Sequence, residues 1–345
     1  MQLSTANYFS RPVTEALKGY LALGVLLHHL YLNTHIIDDD SVLGFFLGSL
    51  GAYCVSLFFF ISGYGLFTSF NNRGGYLCNY QRNRVLPLFC INALLVIIYA
   101  IQKSLLGIDV TLENLLLSFF YGGDIVTYGW YLLVIMLFYE FFYVAARWFK
   151  NHICLAVTVL TLLYIGIAMI LKMDSWWYMS SLAFPCGLLF ARYKEKWDAS
   201  LCSHRLAFML AAIVLYLCCF VCLYLAGDAT SGIHQLPCFR MLRRCSTVFH
   251  GVSFCFMTVG ALMLIGNHVK TDGAVTRRLS SLYLEIYVMQ GFALYTVRNA
   301  CSVSNDYLLA IAVVVLTLLL AKAIQPIFQK IILLVKIPRS TNVTQ

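Results

Sequence analysis

Runs of about twenty apolar residues recur along this whole chain, and no other feature restricts its fold as much. Each run is long enough to cross the hydrocarbon core of a bilayer as a helix. Of the 345 residues, 61% are hydrophobic and 11% charged, where soluble domains carry about 25% charged residues. No room is left for a sizeable soluble domain. The expected fold is all-α: a polytopic transmembrane bundle of about ten spans. It forms one domain over 1–345, with helices over about 19–332 and a short tail at 333–345.

The spans fall near 19–36, 48–69, 86–106, 129–148, 153–172, 176–191, 206–226, 247–267, 280–298 and 308–332. Loop charges then set the orientation. One set of connections carries Arg11, Arg73, Arg82, Arg84, Lys150, Arg192, Lys194, Lys196, Arg205, Lys270, Arg277, Arg278, Lys336 and Arg339. The alternate set carries Asp38, Asp39, Asp40, Asp109, Glu113, Asp124, Asp174, Asp228 and Asp306. Cytoplasmic loops concentrate Lys and Arg, so both termini are expected in the cytoplasm. The net charge of +9 is thus a topology signal and does not suggest a nucleic-acid partner. Arg240, Arg243 and Arg244 break the rule by falling on the outer side. Leu236, Phe239 and Leu242 recur among them at three-residue steps, a pattern that fits a short interfacial helix. Its arginines would face lipid phosphates or an acceptor.

The thirteen cysteines show no metal-ligand spacing, and most lie in apolar runs, where a thiol behaves as a small hydrophobe. Cys238 and Cys245 share one loop and can pair if it is extracytoplasmic. The first apolar run lacks a small-residue cleavage site and reads as an uncleaved span. His35, His152, His204, His234, His250 and His268 lie at span ends or in loops, where solvated histidines need no special role.

Ionisable groups inside spans are expensive and mark functional sites. His29 sits near mid-depth of the first span, eleven positions after Lys18. Eleven steps are three helical turns plus roughly 20°, so the two share a face about 16 Å apart along the axis. His28 is off that face. Glu140, in the fourth span with Arg147 two turns on, reads first as a structural ion pair with a neighbouring helix. Glu285, in the ninth span, orients a substrate, neutralises Lys18 or serves structure. Arg82 and Arg84 sit at a cytoplasmic helix start, where guanidinium groups suit phosphates. Trp130 opens the fourth span as an interfacial anchor or as the lining of an outer cleft. Ser62 lies among Gly63 and Gly65, small residues that let helices approach closely.

Together these segments resemble the membrane-bound acyltransferase-3 family. Its first helix carries an Arg or Lys followed at this spacing by a His, as Lys18 and His29 do. Its second has a Phe-rich run and Ser-Gly-aromatic, here Phe58-Phe59-Phe60-Ile61-Ser62-Gly63-Tyr64. Its next loop is basic and ends in Arg, an aliphatic pair and Pro, matched by Arg84 and Pro87. The family's other Arg falls on Gln81 here, with Arg82 displaced by one. A Trp-aromatic-Leu start matches Trp130-Tyr131-Leu132. A later Ser, then Tyr-Leu-x-His, matches Ser280, Ser281 and Tyr287, with Gln290 in place of the His.

The resemblance implies a bacterial inner-membrane, multi-pass O-acyltransferase. It would move an acyl group, most often acetyl, from cytoplasmic acyl-coenzyme A to a hydroxyl of a cell-surface or lipid-linked glycan. His29 would be the catalytic base or a transient acyl carrier. Lys18, Arg84 and Arg82 would bind the donor. Ser62, Trp130, Glu285, Tyr287 and Gln290 would line the substrate path. Arg243 and Arg244 would contact the acceptor. Acyl-coenzyme A is a co-substrate, no tightly bound cofactor or metal is expected, and membrane lipid is the other partner. The alternatives are a transporter or flippase for lipid-linked sugars or small polar solutes, with His29, Glu140 and Glu285 as coupling groups, or a glycan polymerase.

Overall fold

The computed structural model describes residues 8–121, 125–201, 204–227, 237–265, 271–301 and 303–336, of which 121, 201, 225–227 and 237–244 are described as backbone only. The described residues form helices and turns, with no strand among them. In chain order the helices are α1 (Arg11–Leu32), α2 (Val42–Asn71), α3 (Leu86–Leu105), α4 (Leu112–Tyr121), α5 (Trp130–Trp148) and α6 (Ile153–Ile170). They continue with α7 (Ala183–Leu201), α8 (Arg205–Gly227), α9 (Pro237–Ile265), α10 (Ala274–Ser281), α11 (Tyr283–Asn299) and α12 (Asp306–Val335).

Each expected span meets a helix. Seven helices among the described residues are long and apolar enough to cross a membrane: α2, α3 with its preceding turn, α5, α6, α8, α9 and α12. The other three differ for readable reasons. α1 starts at Arg11 and includes Glu15 and Lys18, and α11 is only 17 residues long. α7 begins at Ala183, not near 176, and runs on through the charged Arg192–Asp198 stretch. Residues 175–177 form a separate 3-10 turn. Pro185 fits the first turn of α7, where a missing N–H costs nothing. The charged turns of α7 are supported by the Lys194–Asp198 pair at 2.6 Å. Two short helices lie in stretches read as loops: α4, and the basic α10.

Two compact units divide the chain. The first comprises residues 1–71 and 154–283, and α2 is its centre. From Tyr53 to Ile61 nearly every α2 side chain is buried, as expected of a helix that is apolar all round. α7 crosses α2 at two glycines used reciprocally. A methyl group on Gly63 would strike the carbonyl oxygen of Phe184, and one on Gly187 would strike that of Phe60. Neither backbone oxygen can give way. Gly65, read with Gly63 as a packing residue, faces open space instead. The segment before α1 is tied to α7. Phe9 packs edge-on against Phe60, Tyr64 and Phe190, and Tyr8 donates to Asp198 at 2.6 Å. Burial, then that carboxylate, pushes the Tyr8 hydroxyl up in pKa, so it keeps its proton.

His250 departs from the interfacial placement expected of it. α9 starts ten residues before the predicted span, which carries His250 into the interior, where it is 4% exposed. Its Nε2 is 2.7 Å from the Tyr53 hydroxyl, to which Tyr216 donates at 3.1 Å. This chain of polar groups joins α2, α8 and α9. Continuity of α9 also overturns two other expectations. The segment after Pro237 is no separate interfacial helix. Cys238 and Cys245, seven residues apart on one helix, are about 10.5 Å apart along its axis, beyond the roughly 7 Å a disulfide spans; Cys245 is a free thiol.

The second unit comprises residues 72–153 and 284–345. Its α3 opens with a π-helical turn over Gln81–Val85, closed by the Leu86 N–H on the Gln81 carbonyl. Pro87 explains the wider turn: its ring has no N–H and would crowd the carbonyl four residues back in an α-helix. Further along α3, the Tyr99 hydroxyl enters the backbone ladder of α11. It donates to the Val288 carbonyl at 2.6 Å and accepts from the Phe292 N–H at 2.8 Å. In an uninterrupted helix those two backbone groups would bond each other. Gly291 leaves room for this approach, since a side chain there would meet Thr127 and the Tyr99 hydroxyl.

Candidate active site

In the first unit, α1 and α2 carry Lys18, His29 and Ser62. The two neighbouring histidines are used differently. The ring of His28 fills the notch left by Gly51 on α2, and its Nδ1 lies 2.9 Å from the Leu47 carbonyl. A ring nitrogen facing a carbonyl must donate, so this contact fixes the tautomer and holds the ring as a packing element. His29 is half-buried, with its ring centroid 5.0 Å from that of His28. Asn33 ends the helix by donating its side-chain amide to the His29 carbonyl at 2.8 Å. Ser62 is half-buried beside the α2–α7 crossing.

Lys18 lies at the other end of α1, where α10 docks. Gly19 meets the Leu279–Ser280 backbone so closely that no side chain would fit, and the Tyr20 hydroxyl is 2.8 Å from that of Thr276. The Lys18 ammonium sits 5.3 Å from the centre of the Tyr283 ring, a cation–π arrangement. The Ser280–Tyr283 stretch and Lys18, 265 positions apart in sequence, are therefore neighbours. Arg277 and Arg278 are exposed on α10, which adds two cations to the helix that docks on α1 beside Lys18. They were legible only as topology charges because nothing local predicts that α10 packs on α1.

In the second unit, the π turn directs its cations to different ends. Arg84 lies over the Tyr76 ring at 5.7 Å. Burial pushes the Tyr76 hydroxyl up in pKa, so Arg84 faces a neutral phenol. Arg82 is exposed and donates its Nε to the Val335 carbonyl at 2.9 Å. That carbonyl belongs to the last turn of α12, where free C=O groups and the helix dipole attract a cation. Gln81, which stands where the family has its other Arg, donates to Glu140 at 2.7 Å. Glu140 is thus held by a neutral amide and not by the cation expected from the sequence; Arg147 is exposed.

α11 carries Glu285, Tyr287 and Gln290, all buried. Glu285 stands in its first turn, where unbonded N–H groups favour a carboxylate. The Tyr287 ring lies 4.9 Å from that of Tyr131 on α5, and Tyr131 packs edge-on against Trp130. The Trp130-Tyr131 start of α5 and the Tyr287 turn of α11 are therefore one aromatic cluster. Gln290 donates to the Tyr287 carbonyl at 2.9 Å. Arg243 and Arg244 lie on the first turns of α9, and their side chains are outside the described residues.

A family model described as an acyltransferase domain matches residues 14–324. No curated protein and no solved structure matches the chain.

Proposed function

This chain belongs to the acyltransferase-3 family, and from that premise we propose that it moves an acyl group, by preference acetyl, from cytoplasmic acyl-coenzyme A to a hydroxyl of a cell-surface or lipid-linked glycan. It works in the inner membrane of a bacterium, with about ten spans and both termini cytoplasmic, as the alternation of loop charges implies.

The observation that carries this reading is the division of labour between the two histidines. His28 is committed to Gly51 and the Leu47 carbonyl, and His29, half-buried on the face of Lys18, is the imidazole we assign to the chemistry. A sugar hydroxyl is a weak nucleophile at neutral pH. The His29 imidazole takes its proton as the oxygen attacks the thioester carbonyl. The carbon–sulfur bond then breaks, and the leaving thiolate recovers that proton from the imidazolium. Lys18, at the start of α1, and Arg84, at the start of α3, bind donor phosphates. Ser62, Trp130, Glu285, Tyr287 and Gln290 line the substrate path, and Arg243 and Arg244 serve the acceptor.

The test is release of free coenzyme A from acetyl-coenzyme A by the purified protein, with and without a glycan acceptor. Mass spectrometry of surface glycans from cells with and without the protein is its counterpart in vivo. Acceptor-dependent release and acetyl groups missing from the glycan support the reading. No thioester consumption, together with loss of glycan export, would support the transporter reading instead.

A further inference from the structure

Asn92, on α3, is 1% exposed, and neither its amide nitrogen nor its amide oxygen has a hydrogen-bond partner. Leaving a buried polar group without a partner costs about 1–3 kcal/mol, and a leucine, which branches at the same side-chain carbon, would avoid that cost twice. A polar occupant that meets both atoms accounts for an asparagine here.

The rest of the second unit indicates where that occupant lies. Asn92 precedes Tyr99 by seven residues, two turns, and so shares its face of α3. That face is turned to α11. Tyr99 bonds Val288 and Phe292, and Gln102 donates to the Phe292 carbonyl at 2.8 Å and the Thr296 hydroxyl at 2.6 Å. On α11, Gln290 is also 1% exposed, and its side-chain oxygen has no partner. One buried donor and three buried acceptors, the third being the side-chain oxygen of Gln102, are therefore unmet among the described residues of these two helices.

The depth of Asn92 selects the ligand. It lies eight residues beyond Arg84, about 12 Å along the helix axis. If Arg84 meets the donor's phosphates, as the proposed function holds, the pantetheine arm continues from there. That arm carries a hydroxyl and two amides before its sulfur. An extended chain advances about 1.2 Å per bond, which brings the second amide about 12 Å past the diphosphate after about ten bonds. We propose that Asn92, with the side-chain oxygen of Gln290, forms the hydrogen-bonding station for the amides of the donor's pantetheine arm. The Asn92 amide donates to an arm carbonyl, and its oxygen accepts an arm N–H. An arm amide presents that same pair of groups in reverse. The inference rests on the acyl-coenzyme A reading above.

Asn92→Leu tests it, with three acetyl donors: acetyl-coenzyme A, acetyl-pantetheine without the phosphates, and the acetyl thioester of a simple alkanethiol without amides. The variant is expected to unfold at a higher temperature than the wild type. Its kcat/KM should fall about 10–100-fold, the worth of one or two hydrogen bonds, with both amide-bearing donors. It should keep its rate with the alkanethiol ester and its KM for the acceptor. Asn92→Ser is expected to show the same donor pattern, and it carries the test if the leucine variant does not fold. Equal losses with all three donors, no loss with any, or a raised acceptor KM would overturn the assignment while leaving acyl transfer intact. A wild-type protein that consumes none of the three thioesters overturns the acyl-transfer reading, and this one with it.

Discussion

His28→Ala and His29→Ala are adjacent changes with opposite expected signatures. His28→Ala removes the hydrogen bond from Nδ1 to the Leu47 carbonyl, worth about 1 kcal/mol net. It also empties the notch at Gly51 that the ring fills, and half-burial of the ring makes that loss about 1–2 kcal/mol. A fall in stability of about 2–3 kcal/mol should lower the unfolding temperature by several degrees. Catalysis by the folded fraction should change little. His29→Ala is expected to lower turnover by about 10²–10⁴-fold, the usual worth of a general base, which is about 3–5 kcal/mol in activation free energy. Its unfolding temperature should stay near that of the wild type. Both quantities can be read from the same detergent-purified samples, by thermal unfolding and by acceptor-dependent coenzyme A release normalised to folded protein. A His28→Ala protein of wild-type stability that has lost turnover would refute the assignment of roles, as would a His29→Ala protein with wild-type turnover.

Gly63→Ala and Gly187→Ala should each destabilise by about 1–3 kcal/mol, the cost of overpacking against a backbone that cannot retreat. Gly65→Ala, two residues from Gly63, should be neutral or stabilising by up to about 1 kcal/mol; equal losses at Gly63 and Gly65 in thermal unfolding would discard the α2–α7 crossing. Arg84→Ala should raise KM for acetyl-coenzyme A more than Arg82→Ala, because Arg82 already caps the last turn of α12. Steady-state kinetics with the donor varied decide this, and a larger effect at Arg82 would reverse the roles. A cysteine placed at Asp39 should react with a membrane-impermeant label from the outer side only; labelling from the cytoplasm alone would invert the topology.

Much of this protein is determined by sequence alone, because the bilayer limits the choices. An apolar run of bilayer length reads as a helix whatever its neighbours, so each expected span meets a helix, seven of them long and apolar enough to cross a membrane, and the family is legible in local motifs. The spacing of Lys18 and His29 needs only the helical repeat to put them on one face. What the sequence could not decide is which groups are already spent on structure. His28 and His29 are alike in type and neighbourhood, and only the packing of α1 on α2 commits the first to Gly51. Gly63 and Gly65 are equally small, yet only one meets another backbone. Arg82 and Arg84 share one basic turn, and the end of α12, far away in the chain, captures the first. His250 reads as interfacial because α9 begins before the apolar run that marks its span, and Asn92 is inconspicuous in sequence because its neighbours are apolar and its exclusion from water depends on other helices. Helix formation follows from local periodicity and hydropathy, whereas the partners of a polar side chain depend on which helix faces meet, and that is a property of the tertiary structure.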